Sequence, residues 1–220
     1  DGYKQGSSTL TKYNSMDPVP GLNSGGWHDA GDYDLRVESQ AGTVRMLALA
    51  IEEFGVDYDN TTVDQENHLV EMHQPDGVND LIQQIEHGLL TILGGYHAFG
   101  RLYRGIICND LRQYVMLGDG STMTDNEVYT GENPRENADD RWVFTEENPG
   151  RAMQSAAGLA AAYRVLKDHN PEMAKEALDV AEAVYERNSK INTEGRRSRY
   201  FNPDFFKIDI LCELILSTDS

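Results

Sequence analysis

Five segments of this chain repeat apolar residues at helical spacing, and they limit the fold more than any other feature of the sequence. In the first segment Val44, Ala48 and Ile51 recur three or four positions apart, which is typical of a helix with one apolar face. No convincing strand accompanies these segments, so the sequence predicts an all-α chain of paired helices with long loops. The predicted helices cover residues 37–54, 78–93, 150–167, 172–187 and 204–216.

Three of the predicted helices begin with an Asn-Pro pair, at 148–149, 170–171 and 202–203. The asparagine side chain can accept a hydrogen bond from a free amide of the first turn. Proline suits that turn because its missing N–H would have no helical partner there. These pairs therefore indicate where the last three helices start.

Two segments between the helices lack periodicity. Residues 57–75 are polar and irregular, and Gly94-Gly95 is predicted to end the second helix. Residues 96–147 hold several glycines and an acidic run, and they are too long for a simple connection. We interpret them as a functional loop with short helical pieces.

The composition excludes several classes of partner. The 19 Lys and Arg residues stand against 37 Asp and Glu residues, a net charge of −18, which disfavours nucleic acid and anionic membrane surfaces. No apolar run approaches the ~20 residues of a membrane span. Cys108 and Cys212 are too few and too far apart for a disulfide framework or a zinc site, so we interpret both as small buried apolar residues.

The most informative segment is 25–34, Gly-Gly-Trp-His-Asp-Ala-Gly-Asp-Tyr-Asp. Asp29 and Asp32 lie within ~10 Å of each other along even an extended backbone, and the glycines allow a sharp turn. Two carboxylates facing one small volume can hold a water molecule and remove its proton, as a general base does. An Asx-turn, a helix cap or a calcium loop would explain an arbitrary Asp-x-x-Asp. With Gly-Gly-Trp before the two aspartates and Tyr33 after them, the motif is longer than an Asx-turn, a helix cap or a calcium loop requires.

Segment 25–33 resembles the signature of family 9 glycoside hydrolases, the inverting β-1,4-glucanases. Residues 75–81, Pro-Asp-Gly-Val-Asn-Asp-Leu, and residues 139–143, Asp-Asp-Arg-Trp-Val, are similar to further family segments in the expected order. The resemblance implies an (α/α)6 barrel with a cleft across one end. Residues 1–220 would then form part of one catalytic domain, a partial barrel of about six helices. Neither end looks like a natural terminus, so we expect truncation at the C-terminal side and also at the N-terminal side.

The resemblance also implies roles for individual residues. Asp32 matches the general base, and Asp29 matches the neighbouring acid that holds the attacking water. Leu35 departs from the family, since many members carry lysine at that position. For Trp142 a place in the substrate cleft and a place in the core are equally open. The substrate-binding residues implied by the resemblance are Trp27, Tyr33, Arg141, Trp142 and Tyr200.

The sequence lacks a match for the second catalytic carboxyl group. Inversion needs two carboxyl groups about 6.5 to 9.5 Å apart on opposite sides of the scissile bond. In the family the acid is a glutamate far towards the C-terminus, and no segment after Tyr200 matches it. We interpret Glu146, Glu147 and Glu213 as structural. The acid is thus expected outside this chain, and the chain alone is expected to be inactive.

The expected activity is that of an endo-β-1,4-glucanase acting on a cellulose-like polysaccharide or oligosaccharide, secreted, periplasmic or at the cell surface. Its chemistry requires no cofactor, and the sequence leaves a structural calcium ion open. The expected partners are the glycan substrate and the remainder of the catalytic domain, with no nucleic acid and no membrane span. The alternative is a non-catalytic glycan-binding module that keeps the barrel and the cleft without the acid.

Overall fold

The computed structural model describes residues 3–5, 10–14, 17–22, 24–28, 34–64, 66–108, 141–191 and 203–218. These residues form five α-helices and seven short β-strands. The helices are α1 (Val37–Phe54), α2 (Asp80–Phe99), α3 (Pro149–Leu166), α4 (Pro171–Asn188) and α5 (Pro203–Thr218). The strands are β1 (Tyr3–Gln5), β2 (Pro18–Val19), β3 (Leu35–Arg36), β4 (Thr61–Asp64), β5 (Leu69–Met72), β6 (Gly105–Cys108) and β7 (Arg141–Phe144).

All five predicted helices are confirmed, and each begins close to its predicted start. The predicted end of the second helix at Gly94-Gly95 is wrong, because α2 continues through both glycines to Phe99. Asn170 caps α4 as expected, because its side-chain oxygen accepts a hydrogen bond from the Met173 amide at 3.2 Å. Asn79 does the same ahead of α2 by accepting from the Leu81 amide at 2.8 Å. Asn202, which precedes α5, lies outside the described residues.

The chain divides into two compact units, and the first contains Asp1–Gln40 and Leu90–Asn148. A five-stranded sheet in the order β2-β1-β7-β6-β3 forms its centre. The β1–β7 pair is parallel, and the other pairs are antiparallel. The buried apolar side chains of this unit include Val19, Leu22, Leu35, Ile92, Ile106, Ile107, Val143 and Phe144.

The expectation that the chain contains no strand is therefore wrong. Strands β6 and β7 are four residues long, and each places two successive buried apolar residues next to each other, Ile106-Ile107 and Val143-Phe144. Alternation with period two cannot be recognised in such short, doubly buried segments. Residues 96–147 were predicted to form a loop with short helical pieces. Within them the structure describes the end of α2 and the strands β6 and β7. Residues 109–140 lie outside the described residues.

The second unit contains Ala41–Leu89 and Pro149–Ser220, and it is mainly helical. Helix α3 packs on both α4 and α5, and its residues Ala156, Ala157, Ala160 and Ala161 are fully buried. A side chain at Gly158 would lie 2.3 Å from the Ala41 carbonyl oxygen, so that helical glycine permits a close backbone approach. The close helix contact expected from the alanines is confirmed.

The polar segment 57–75 contains a β-hairpin, β4–β5, where an irregular loop was expected. Thr61 pairs with Met72 and Asp64 pairs with Leu69 in this antiparallel register. All four residues of β5 are exposed, so this strand has no buried face that would require alternation in the sequence. Hairpin pairing with no buried face leaves little pattern for a sequence to display.

Ion pairs around the buried Glu213 connect three helices of the second unit. Arg45 on α1 binds Asp209 and Glu213 on α5, with nitrogen–oxygen distances of 2.7 and 2.6 Å. Arg164 on α3 binds the other carboxylate oxygen of Glu213 at 2.9 Å. Glu213 is only 4% exposed, so its two arginine partners compensate a charge that would be costly to bury alone. These contacts agree with the structural interpretation of Glu213.

Helix α5 also shows where one interpretation of the sequence is wrong. Cys212 is a free, exposed thiol rather than a buried apolar residue. It shares the exposed face of α5 with Phe205, Ile208 and Ile215, whereas Glu213 and Ile210 point inward. The buried face of α5 therefore carries Glu213 with its ion pairs, and the Cys212 thiol lies on the exposed face. The side chain of Cys108 lies outside the described residues.

None of the five described helices combines the length and the apolar character that a membrane span requires.

Candidate functional site

The 25–34 motif lies in the first unit, where the structure describes its two ends. Gly25, Gly26, Trp27 and His28 precede the central residues, and Asp34 follows them. Gly25 and Gly26 have φ angles of +73° and +83°, values that glycine adopts without the strain of a side chain. The predicted site residues Asp29, Asp32, Tyr33 and Tyr200 lie outside the described residues.

Gln40 in the first turn of α1 binds both backbone polar groups of Trp27. The Trp27 amide donates to Gln40 Oε1 at 2.7 Å, and Gln40 Nε2 donates to the Trp27 carbonyl oxygen at 2.7 Å. Gln40 is 2% exposed, and the Trp27 side chain is half-buried. The residue two positions before Asp29 is therefore attached to the start of a helix.

His28 contacts Arg141, the first residue of β7. The distance from Arg141 NH1 to His28 Nε2 is 2.8 Å. A guanidinium can only donate, so Nε2 accepts this hydrogen bond and the imidazole is neutral. Burial and the nearby positive charge of Arg141 lower the pKa of His28, against a smaller opposite effect of Asp34. The structure thus brings the first and third sequence segments of the resemblance together.

Asp34 anchors the other end of the motif. Its carboxylate is almost completely buried and accepts a hydrogen bond from Arg36 Nε at 2.8 Å. Leu35, between them, is a buried residue of β3 whose backbone pairs with Ile106. A side chain at Gly105 would lie 2.5 Å from the Leu35 carbonyl oxygen. Leu35 therefore has a core role at the position where the family often carries lysine.

Arg141 and Trp142 begin β7, and the expectation of a loop at this point is wrong. Trp142 pairs with Ile107 of β6 on one side and with Lys4 of β1 on the other. Its side chain is half-buried, whereas Val143 and Phe144 that follow it are buried. A half-buried tryptophan at the end of a strand leaves both interpretations, cleft and core, open.

Three residues of this region had no predicted role: His28, Asp34 and Gln40. His28 and Asp34 lie within the recognised motif but were not assigned a function. The sequence contains a clearer indication that Gln40 is important. It lies three residues after Val37 and four before Val44, so a polar side chain occupies the apolar face of α1. A polar side chain at a buried helix position must find a hydrogen-bond partner.

The described residues contain no group of three or more His, Cys, Asp or Glu side chains placed to hold a metal ion. Glu147 forms an ion pair with Arg101 at 3.3 Å, and the Glu146 carbonyl oxygen accepts from the same guanidinium. The ion pair agrees with the structural interpretation of Glu147, whereas the Glu146 contact involves only its backbone.

The sequence profile of glycosyl hydrolase family 9 matches residues 2–207 of the chain. The chain therefore belongs to this family, which confirms the resemblance seen in the motifs. No relative is found among curated proteins.

Several solved structures share the fold. A metagenome-derived family 9 endoglucanase matches with a TM-score of 0.68 at 20% identity, covering 100% of this chain and 37% of its own. A Bacteroides ovatus family 9 protein matches with a TM-score of 0.66 at 17% identity, covering 100% of this chain and 39% of its own. An endoglucanase from the termite Nasutitermes takasagoensis matches with a TM-score of 0.60 at 14% identity, covering 99% and 48%.

These likenesses confirm the predicted fold class, a mostly helical part of an (α/α)6 barrel. The chain spans less than half the length of each of these three proteins.

Proposed function

We propose that residues 1–220 form part of one catalytic domain that hydrolyses a β-1,4-linked glucan, cellulose or a related plant polysaccharide, with inversion. The observation that carries this proposal is the family 9 match over residues 2–207, which includes the complete Asp29-to-Asp32 motif. Three similar solved structures, two of them described as endoglucanases, support an endo-β-1,4-glucanase activity.

In the proposed reaction Asp32 is the general base and Asp29 holds the attacking water. As water attacks the anomeric carbon, Asp32 takes its proton, and the bond to the leaving oxygen breaks. A carboxylic acid on the opposite side of the sugar gives its proton to that oxygen. We propose that this acid is a glutamate outside the given chain, so that the 220 residues alone are inactive. The chemistry requires no cofactor.

We propose that aromatic residues near the motif bind the sugar rings. The half-buried Trp27 and Trp142 each keep part of an indole surface accessible, and an aromatic face can stack on the apolar face of a pyranose. Tyr33 and Tyr200 are proposed to contribute in the same way. Arg141, held next to the motif by its contact with His28, would border the same cleft.

A polymeric β-glucan does not enter cells, so we propose that the protein acts outside the cytoplasm, as a secreted, periplasmic or cell-surface enzyme. The proposed partners are the glycan itself and the remainder of the catalytic domain. A non-catalytic glycan-binding module is the alternative. It would bind oligosaccharides without releasing reducing ends, which makes the two functions distinguishable in one assay.

The test is Asp32→Asn in the intact protein that contains this chain. The amide keeps the shape of the side chain but cannot take the proton of water, so hydrolysis of a soluble β-1,4-glucan should fall by ~10² to 10⁴ while binding persists. Asp168→Asn, the same change at an exposed position, is the matched control. Activity of Asp32→Asn within a few-fold of the unmutated protein would refute the assignment.

The stereochemical outcome gives an independent check. Inversion at a β-linkage releases the α-anomer first, which proton NMR can follow before mutarotation equilibrates the product. Initial release of the β-anomer would contradict a mechanism with Asp32 as base.

A further inference from the structure

The buried side chain of Gln40 holds the backbone of Trp27, two residues before Asp29 in the sequence. The side chain of Gln40 exchanges two hydrogen bonds of 2.7 Å with the Trp27 backbone, one as acceptor and one as donor. Paired residues of antiparallel strands exchange two hydrogen bonds in the same manner. Here the side chain of a helical residue replaces the partner strand, and both backbone polar groups of Trp27 are satisfied.

Gly26 makes this contact sterically feasible. A Cβ atom at this position would lie 2.9 Å from Thr91 Cγ2 and 3.0 Å from Gln40 Oε1. The φ angle of +83° is also one that other L-residues rarely adopt. The backbone therefore lies close against Gln40 only because residue 26 has no side chain.

The same segment is held at two further points. His28 accepts a hydrogen bond from Arg141 on β7, and the buried Asp34 accepts one from Arg36 on β3. Strands β7 and β3 belong to one sheet. The five residues between His28 and Asp34 are thus bounded on both sides by side-chain contacts to regular structure.

We propose that Gln40 is a positioning residue for the Asp29 and Asp32 carboxylates, acting through its two hydrogen bonds to the Trp27 backbone. This inference rests on the proposed function. A general base must lie within hydrogen-bond reach of its water, and a displacement of ~1 Å can reduce a rate by ~10²-fold. In this role Gln40 touches neither substrate nor water, and it acts only through the Trp27 backbone, two residues before Asp29 in the sequence.

The experiment uses Gln40→Met and Gln40→Glu in the intact protein, with kcat and KM measured on a soluble β-1,4-glucan. Methionine has a similar length but neither hydrogen-bonding group, so kcat should fall by ~10²-fold with KM changed less than about threefold. Glutamate keeps an acceptor for the Trp27 amide, but as a buried carboxylate it places an oxygen in place of the donor to the Trp27 carbonyl oxygen, so its kcat should fall at least as far as that of the methionine variant.

The matched control is Gln83→Met. Gln83 is also a buried glutamine, 6% exposed, but its amide binds the Asp76 side chain in the second unit. Gln83→Met should lower the melting temperature without lowering kcat at temperatures where the protein remains folded. An equal kcat loss in both methionine variants would show a merely structural role for Gln40 and overturn the proposal.

Two other results would also overturn it. The first is a kcat of Gln40→Met within about threefold of the unmutated protein, and the second is a change confined to KM. Both leave the proposed function intact if Asp32→Asn still abolishes hydrolysis. If Asp32→Asn retains activity, the proposed function fails first, and the two failures are therefore distinguishable.

Discussion

At the residue scale, the contact between His28 and Arg141 connects two motifs that are 113 positions apart in the sequence. The neutral imidazole accepts from the guanidinium, and both burial and the positive charge oppose its protonation. The pKa of His28 is consequently lowered in the folded protein, and Asp34 only partly offsets this effect. A proton on His28 would remove the acceptor and place two cations side by side.

This arrangement predicts an acid-dependent loss of stability. Below the ordinary histidine pKa of 6.5 the unfolded chain binds a proton at residue 28 while the folded chain does not. The free energy of unfolding should therefore fall as the pH decreases from about 6.5 towards the lowered folded pKa, and this contribution should level off below that value. Urea denaturation of the chain at a series of pH values measures the effect.

His28→Gln is the informative variant for that series. Glutamine can still accept from Arg141 but does not titrate, so its stability should fall less steeply over the same pH range. The exposed His97, changed to Gln, is the matched control for the loss of one imidazole. Parallel curves for the unmutated chain and His28→Gln would contradict the prediction.

At the scale of elements, α2 continues through two adjacent glycines that would usually indicate a helix end. A Cβ atom at Gly94 would lie 2.2 Å from the Gly21 carbonyl oxygen. At Gly95 it would lie 2.0 Å from Cε1 of the Tyr103 ring. Tyr103 is buried, and its hydroxyl bonds to Thr91, so the ring cannot easily move away. The glycines therefore serve packing and do not terminate the helix.

We predict that Gly95→Ala destabilises the chain by about 1 to 3 kcal/mol, the range typical of overpacking, even though alanine favours helix formation. Gly42→Ala in α1 is the matched control, because a Cβ there meets nothing within 4 Å. That change should stabilise the chain by roughly 0.5 to 1 kcal/mol. Chemical denaturation of both variants measures their free energies of unfolding. An unchanged or raised stability for Gly95→Ala would contradict the packing explanation.

At the scale of the whole molecule, α5 presents two contrasting faces. One face holds Glu213 between Arg45 and Arg164 within the second unit. The other exposes Phe205, Ile208 and Ile215, each more than half accessible, at spacings of three and seven residues. These positions form a contiguous apolar stripe along the helix. Such a stripe is a source of association between molecules.

We expect the 220-residue chain to self-associate through this stripe, and Ile208→Lys combined with Ile215→Lys to reduce the association. Light scattering coupled to size-exclusion chromatography, over a range of concentrations, gives the mass. The control pair is Val70→Lys with Met72→Lys on the exposed strand β5, which changes the net charge by the same amount. Equal effects of the two pairs would show that charge, and not the α5 face, controls association.

The helices could be predicted from the sequence because helix formation depends on residues three and four positions apart. Apolar residues on α1, the alanines of α3 and the asparagine cap of α4 act within one or two turns, so their pattern is visible locally. The motif around Asp29 and Asp32 was visible for a similar reason, since its residues are contiguous. The family profile that includes it confirms the family, while the roles of the two carboxylates stay a prediction.

Only the tertiary structure decided the remaining features, because they depend on residues that are distant in the sequence. The strands are too short to show a period, and they form because β7 pairs with β1 and β6. Gly95 belongs to a helix because of the Tyr103 ring, and Cys212 is exposed because the opposite face of α5 carries the buried charges. Sequence patterns record local preferences, but a hydrogen bond or a steric contact across the fold exists only once the backbone has brought the two partners together.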